Sequence, residues 1–202
     1  MMHETVKNLL NIQEKVKEKL LNKKNHKSPE IIAVSKTFKM EHIEHLINNG
    51  HLHYGENKVQ EAIEKWTSIK EKNKNIKLHL IGKLQTNKVK FAIKLFDYIH
   101  SLDSEKLAVK ISKFQEEKDL KIKLFIQVNI GNEEQKSGIT ERNLKEFYAY
   151  CINLKLNIIG LMCIPPIDKD SSLYFDKMLK LKNELNLNEL SMGMSSDYLN
   201  AV

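Results

Sequence analysis

A lysine at the end of an apolar run is the first candidate for chemistry in this chain. Residues 31–34 are all apolar, and Ser35 and Lys36 follow them directly. Four consecutive apolar residues are typical of a strand covered on both faces, as in parallel α/β sheets, so we expect Lys36 at the strand's carboxyl end. A partly desolvated lysine there would lose its proton more readily than at its ordinary pKa of ~10.4, and a neutral amine forms an imine with an aldehyde. A lysine in this place is more often a solvated loop residue, so the stretch alone assigns no function.

Two pairs of histidines are candidates for metal binding. His42 and His45 have the i, i+3 spacing that shares one helix face, and His51 and His53 have the spacing of one strand face. No third ligand from Cys, Asp or Glu stands at a recognised metal-site spacing. The sequence therefore favours no metal site.

Strand-like and helix-like segments alternate along the chain, and these elements would position Lys36. An amphipathic helix from Thr5 to Asn22 is predicted first. Strands are predicted near 31–35, 52–54, 78–81, 97–101, 122–129, 158–163 and 189–192. Helices are predicted near 40–49, 57–72, 86–95, 104–118, 140–154 and 171–186. This alternation indicates right-handed βαβ units around a parallel sheet, either closed into a barrel or open and doubly wound.

Composition limits the class of protein. With 202 residues, 41% hydrophobic and 29% charged, the chain suits one globular domain. Cys151 and Cys163 lie in apolar patterns, which is typical of reduced thiols in the cytoplasm, and no signal peptide or membrane span is predicted. The net charge is +7, but of the 33 basic residues only Arg142 is arginine, leaving 33 − 1 = 32 lysines. A specific nucleic-acid interface would favour arginine, so we interpret the lysines as solvated helix faces.

Six segments together carry a resemblance to a known family. They are AVSKT at 33–37, YGENKVQE at 54–61, HLIGKLQTNK at 79–88, VNIGNEEQKSG at 128–138, GLMCIPP at 160–166 and LSMGMSSD at 190–197. In this order they resemble the pyridoxal phosphate homeostasis proteins, which are related to the amino-terminal barrel of alanine racemase. Each segment alone would be weak, whereas the set is highly specific.

The resemblance implies a role for five residues in binding pyridoxal 5′-phosphate (PLP). Lys36 would form a Schiff base with PLP, Asn57 would place its amide near the edge of the ring, and Met162 would contact the ring. Ser195 and Ser196 would open the last helix, whose free N–H groups and positive dipole end attract phosphate. The structural alternatives are a turn at Asn57, core packing by Met162 and helix capping by either serine.

Two more of the matching segments have open interpretations. His79 and residues 85–88 could line the mouth of the barrel or cap the following helix. Gln135, Lys136 and Ser137 would be polar groups at the mouth, although a segment rich in Gly, Asn and charge is by default a mobile loop.

The implied fold is a (β/α)8 TIM-barrel-like α/β domain over residues 1–202, with an extra amino-terminal helix. Only seven strands are predicted, and the family's final strand, with an arginine and a Gly–Thr pair for the phosphate, has no counterpart here. Arg142 lies in an early helix turn and does not match that arginine. We therefore expect a carboxyl-terminal truncation relative to the family, weaker phosphate binding, and open edges at the first and last strands that favour self-association or low stability.

The implied function is PLP homeostasis, meaning storage, buffering or delivery to PLP-dependent apo-enzymes, without robust catalysis. Racemases of this fold use a second, β-rich domain to supply an opposing acid–base residue, and the chain has no residues left to build one. The alternatives are a PLP-dependent racemase or decarboxylase and a lysine-rich module that binds polyanions. Membrane partners are not expected, and the oligomeric state is either monomeric or associated through the open edges.

Overall fold

The computed structural model describes residues 2–21 and 28–202, in which strands and helices alternate. The strands are β1 (Ala33–Val34), β2 (His53–Glu56), β3 (Lys77–Leu80), β4 (Tyr98–Leu102), β5 (Lys123–Gln127), β6 (Ile158–Met162) and β7 (Glu189–Ser191). The α-helices are α1 (Glu4–Leu20), α2 (Met40–Asn48), α3 (Val59–Lys72), α4 (Val89–Leu95), α5 (Glu105–Lys118), α6 (Leu144–Asn153), α7 (Ser171–Glu184) and α8 (Tyr198–Ala201). Short 3₁₀ turns at Thr86–Lys88 and Glu141–Asn143 lead into α4 and α6.

These elements confirm the predicted alternation. Each predicted strand and helix overlaps an observed one, with differences of a few residues at the ends. The opening helix runs from Glu4 to Leu20, and its predicted last residue, Asn22, lies outside the described residues. Side-chain caps form at two of the helices, where His3 accepts a hydrogen bond from the Thr5 N–H and Asp170 accepts one from the Ser172 N–H.

The seven strands form one sheet in the order β1 to β7, and every neighbouring pair is parallel. In the described part of the chain, β1 and β7 are its edges. The prediction that β1 is covered on both faces is wrong, because Val34 is 42% exposed. The strand pairs with β2 alone in the described residues.

A hydrogen bond across the interior shows that the sheet is curled. Nδ1 of His100, on β4, lies 2.7 Å from Oγ of Ser191, on β7. In a flat sheet these strands would be about 14 Å apart, because neighbouring strands are spaced by roughly 4.8 Å. The sheet is therefore the seven-stranded wall of a barrel, which confirms the TIM-barrel-like fold and excludes the open doubly wound alternative.

The main core lies between the curled sheet and the surrounding helices. Tyr54 on β2 packs against Trp66 on α3 with ring centroids 4.7 Å apart, and both are fully buried. Since side chains alternate along a strand, His53 and Gly55 face the barrel interior. The amphipathic α1 lies against both α2 and α8. None of the described helices combines the length and apolarity needed to cross a membrane.

Candidate functional site

Lys36 lies just beyond β1, at the carboxyl end of the sheet. A methyl group added to Gly55 would lie 3.0 Å from Ile32 Cγ2 and 3.5 Å from Val34 Cγ2, so both of these side chains face the interior. The alternation along the strand directs Lys36 to the same side. The side chain is exposed, so the expectation of partial desolvation is wrong. In residues 2–21 and 28–202, no hydrogen bond or ion pair engages its amine, which leaves the amine available to a ligand.

The strand end that carries Lys36 is held by a buried polar cluster. Ser35 donates from its N–H to the Gly55 carbonyl at 2.9 Å and from its hydroxyl to Glu56 Oε1 at 2.8 Å. Glu56 is fully buried and also accepts hydrogen bonds from the Lys65 amine and the Trp66 indole, each at 2.9 Å. This cluster lies on the helix side of the sheet, directly behind Lys36.

Asn57 follows β2, next to Lys36 in the strand order. Its backbone packs directly on Gly82, in the loop after β3: a Cβ on Gly82 would lie only 2.3 Å from the Asn57 carbonyl oxygen and 2.8 Å from its Cα. Glycine is therefore required at position 82 for Asn57 to take its place at the mouth of the barrel. The signal for this contact, a glycine inside the segment HLIGKLQTNK, was visible in the sequence but its partner was not.

Met162 ends β6 on the opposite side of the mouth and is buried. It is in register with Gln127 on β5 and Ser191 on β7. Ser191 faces the interior, because its hydroxyl bonds His100 there, and residues in register on parallel strands share a face. Met162 therefore presents an apolar side chain to the barrel interior.

Ser195 and Ser196 do not open the last helix, so this prediction is wrong. They form an exposed turn before α8, which begins at Tyr198 with Asp197 as its N-cap residue. The turn closes because the Tyr198 N–H bonds the Met194 carbonyl at 2.9 Å, while Asp197 Oδ1 accepts from the Met194 N–H at 2.6 Å. A phosphate here would meet turn N–H groups rather than a long helix dipole, and the Asp197 carboxylate is a neighbouring negative charge.

The loop after β5 is tied down rather than free. Lys136 donates to the Pro165 carbonyl at 3.1 Å and pairs with Glu133, while Gln127 donates to the Ser137 carbonyl at 3.1 Å. Lys83, from the loop after β3, donates to the Ser137 hydroxyl at 3.1 Å. These bonds join three loops around the mouth, with Lys136 and Ser137 among the groups that connect them.

A chain of hydrogen-bonded histidines crosses the barrel below the mouth. His53 Nδ1 lies 3.0 Å from His79 Nε2, His79 Nδ1 lies 2.9 Å from His100 Nε2, and His100 reaches Ser191. Burial, reinforced by the charge of neighbouring groups, lowers the pKa of His79 to about 2, and burial lowers that of His100 to about 3. His79 therefore lies in the interior and caps no helix. Sequence reasoning missed the chain, because its members lie on separate strands.

A metal is not indicated at these histidines or elsewhere in the described residues, where no group of three His, Cys, Asp or Glu side chains could hold an ion. A surface groove of about 460 Å³ lies apart from the mouth, along α7 and beside the 3₁₀ turn at Glu141–Asn143. Its lining mixes Glu141, Asp176 and Glu184 with Lys177 and Lys180. The carboxylates would repel an anionic ligand, so we do not place the site there.

The five predicted residues thus occupy one end of the barrel. Lys36 and Asn57 follow β1 and β2, Met162 ends β6, and Ser195 and Ser196 follow β7. No direct contact between them occurs among the hydrogen bonds of the described region. The groups available are an uncommitted amine, a buried thioether, a fixed backbone position at Asn57 and turn N–H groups. This set fits an apolar planar aldehyde that carries an anionic group.

The profile of the alanine racemase N-terminal domain matches residues 8–202 of the chain. Among curated proteins, the pyridoxal phosphate homeostasis protein of Aquifex aeolicus is 39% identical over 178 residues, which are 83% of this chain and 77% of that protein. The protein of the same name from Buchnera aphidicola is 36% identical over 211 residues, covering 96% of this chain and 91% of that protein.

Solved structures give the same picture. PipY of Synechococcus elongatus, whose structure was determined with PLP bound, is 32% identical with a TM-score of 0.76, and 92% of each chain is covered. The PLP-free form of PipY superimposes with a TM-score of 0.79 at 33% identity. Alanine racemase of Clostridium difficile is 15% identical with a TM-score of 0.69, covering 95% of this chain and 52% of that chain, so it shares the fold.

Proposed function

The chain belongs to the family of the alanine racemase N-terminal domain, and on this basis we propose that it binds PLP as a Schiff base on Lys36 and serves PLP homeostasis. PLP brings an aldehyde that condenses with a primary amine, together with a phosphate that needs N–H donors. Lys36 supplies the amine, Met162 an apolar wall, and Asn57 with the turn at Ser195 and Ser196 the polar contacts.

One observation supports this proposal above the others. The Lys36 amine extends from the carboxyl end of β1, on the interior side of the mouth, and has no partner in the described residues. Functional groups of α/β barrels are placed at this end. Most other lysines lie on the helices, and several of these pair with carboxylates, as Lys70 does with Asp97.

The test is selective labelling. The protein is incubated with substoichiometric PLP and reduced with borohydride, and the modified peptides are mapped. We expect the label to concentrate on Lys36, and Lys36→Ala to remove the saturable fraction without changing the fold. With 32 lysines some surface labelling is unavoidable, so a label spread evenly over the lysines would refute the assignment.

We also propose that the chain is not a robust enzyme. Apart from Lys36, the residues predicted to bind PLP offer a thioether at Met162, an amide at Asn57 and hydroxyls at Ser195 and Ser196, and none of these groups is a general acid or base of the usual kind. We therefore expect no racemisation of alanine above that of free PLP. Proton transfer by a positioned group typically supplies ~10²–10⁴-fold in rate, so turnover that is well above background and lost in Lys36→Ala would favour the racemase alternative.

Delivery of PLP to apo-enzymes in the cytoplasm completes the proposal. Cys151 and Cys163 are both free and buried, which agrees with a reducing compartment. The exposed position of Lys36 would let an incoming amine reach the Schiff base and release the cofactor. Mixing the PLP-loaded protein with a PLP-dependent apo-enzyme should restore its activity faster than spontaneous release from the loaded protein allows. Equal rates would refute direct delivery.

A further inference from the structure

The buried cluster behind β1 holds the peptide group from which Lys36 extends. The Lys65 amine, 14% exposed, donates to the Ser35 carbonyl at 2.8 Å and to Glu56 Oε1 at 2.9 Å. That carbonyl belongs to the peptide bond between Ser35 and Lys36. Ser35 itself is anchored on the same carboxylate oxygen through its hydroxyl. Lys65 thus holds the carbonyl of Ser35 and Glu56 holds its hydroxyl, and Ser35 is the residue immediately before Lys36.

This anchoring matters because β1 has little else to position it. The strand has two residues, pairs only with β2 in the described part of the chain, and ends at an exposed turn in which Thr37 has a φ of 67°. A non-glycine residue at such a φ is uncommon and needs its surroundings to hold it. Backbone pairing alone would leave the end of an edge strand free to move.

The cluster is also costly for the fold, which indicates a purpose beyond packing. Glu56 is 0% exposed, and its Oε2 has no hydrogen-bond partner among the described residues. A buried ion pair commonly stabilises a protein no more than apolar side chains of the same volume would, because both charges lose their hydration. What it adds here is a fixed geometry at the Ser35 carbonyl.

We propose that Glu56 and Lys65 are positioning residues that fix the Ser35–Lys36 peptide and thereby aim the Lys36 amine at PLP. The proposal rests on the proposed function of Lys36. The two residues act from the helix side of the sheet and need not touch the cofactor. Without them the amine would sample more directions, and part of the binding free energy would be spent on ordering the strand end.

The same helix offers a matched control at the other end of the sheet. Lys70, also on α3, donates to the Leu95 carbonyl at 2.9 Å and pairs with Asp97, which in turn accepts from the Leu78 N–H. This cluster has the same composition, a lysine joining a carbonyl and a carboxylate, but it lies near the amino ends of the strands. Its side chains are somewhat more exposed, 20% for Lys70 and 26% for Asp97.

The experiment compares Glu56→Gln and Lys65→Met with Asp97→Asn and Lys70→Met in the full chain. Melting temperature, PLP affinity by calorimetric titration and the fraction of borohydride label on Lys36 are measured for each. We expect both pairs of variants to lose stability. Only the first pair should weaken PLP binding about 10-fold or more, the equivalent of one hydrogen bond to a charged group, and Lys65→Arg should restore part of that loss.

A double-mutant cycle separates positioning from general damage. In a Lys36→Ala background the effect of Glu56→Gln on residual PLP binding should vanish, since no amine remains to be aimed. A Glu56→Gln effect that persists in this background, or an equal loss of affinity in the Asp97 and Lys70 variants, would overturn the proposal. If Glu56→Gln does not fold, Ser35→Ala, which removes one hydrogen bond, takes its place in the cycle. Absence of selective labelling in the unaltered protein would instead refute the proposed function.

Discussion

At Gly82 the backbone of Asn57 comes so close that no side chain fits between them. A Cβ on residue 82 would lie 2.3 Å from the carbonyl oxygen of Asn57. Backbone atoms cannot move away from such a contact as easily as the end of a side chain can. Gly55 is a useful contrast, because the atoms nearest to a Cβ there belong to the side chains of Ile32, Ile81 and Val34, at 3.0 Å or more. Each glycine lies beside the mouth, but only one carries a backbone contact.

We therefore predict that Gly82→Ala displaces Asn57. Overpacking of this kind costs roughly 1–3 kcal/mol of stability, and PLP affinity should fall as well because the Asn57 backbone is pushed from its place. Gly55→Ala should cost less than about 1 kcal/mol, since side-chain ends can yield. Denaturant unfolding and PLP titration of both variants check this. Equal losses of stability and PLP affinity in the two variants would contradict the prediction that the backbone contact at Gly82 positions Asn57.

On the scale of elements, strands β2, β3, β4 and β7 are linked by the histidine chain. Glu30 lies 3.7 Å from His53 Nε2, which favours a proton on that nitrogen. His53 Nδ1 then accepts from His79, His79 accepts from His100, and His100 accepts from the Ser191 hydroxyl. Each imidazole in this arrangement has one N–H donor and one acceptor nitrogen, and burial keeps His79 and His100 neutral by lowering the pKa of each.

This chain predicts acid sensitivity. The folded protein keeps His79 and His100 neutral, with pKa values lowered to about 2 and about 3, whereas the unfolded chain protonates them near 6.5. The unfolded state therefore binds more protons below pH 6.5, and stability is lost as the pH falls from 6.5 toward about 3. Between pH 7 and pH 5.5, two such groups should cost about 2–3 kcal/mol.

Urea unfolding at several pH values above 5.5, where carboxylates are still ionised, measures this loss. A double variant with His79→Gln and His100→Gln is less stable overall but should show a smaller slope of stability against pH. His42→Asn, at an exposed histidine on α2, serves as the control and should keep the original slope. A double variant whose slope equals that of the original protein would show that other groups cause the acid sensitivity.

For the whole molecule, the edges of the curled sheet are the feature with the largest consequence. In the described residues β1 pairs only with β2, and β7 only with β6. Unpaired strand edges are templates for another chain. We expect this protein to associate with itself at high concentration, which sedimentation velocity over a dilution series will detect.

Val34→Pro tests whether β1 is the edge involved. The Ser35 N–H points to β2, so by alternation the Val34 N–H faces the free side and can be removed without breaking the pairing with β2. The variant should associate less at an unchanged melting temperature. A protein that stays monomeric at every concentration, or a variant that associates equally, would contradict this role of the edge.

Net charge gives a prediction that separates the PLP site from general polyanion binding. At +7 the chain will attract a polyanion such as heparin at low salt. This attraction should fall steeply as salt is added, and PLP should not compete with it, because it involves lysines spread over the helices. Saturable heparin binding that persists at physiological salt and is displaced by PLP would favour the polyanion-binding alternative.

The sequence by itself determined the order of the elements and one end of the barrel as the place for chemistry. Apolar runs such as 31–34 and 124–126 identify strands, and a lysine two residues after the first run is placed at the carboxyl end by chain connectivity alone. These are local properties, so local patterns suffice to predict them. The same holds for the motifs around Asn57 and Met162, which follow or end their strands as predicted.

Only the tertiary structure decided the contacts between distant segments. The Ser195–Ser196 turn precedes rather than opens α8, because Asp197 and Met194 close it. The histidine chain joins β2, β3 and β4 to Ser191, which is 91 residues from His100 along the chain, and Glu56 joins the end of β1 to α3. Such contacts depend on how the sheet curls, and the curl results from packing of the whole core. No window of sequence contains that information.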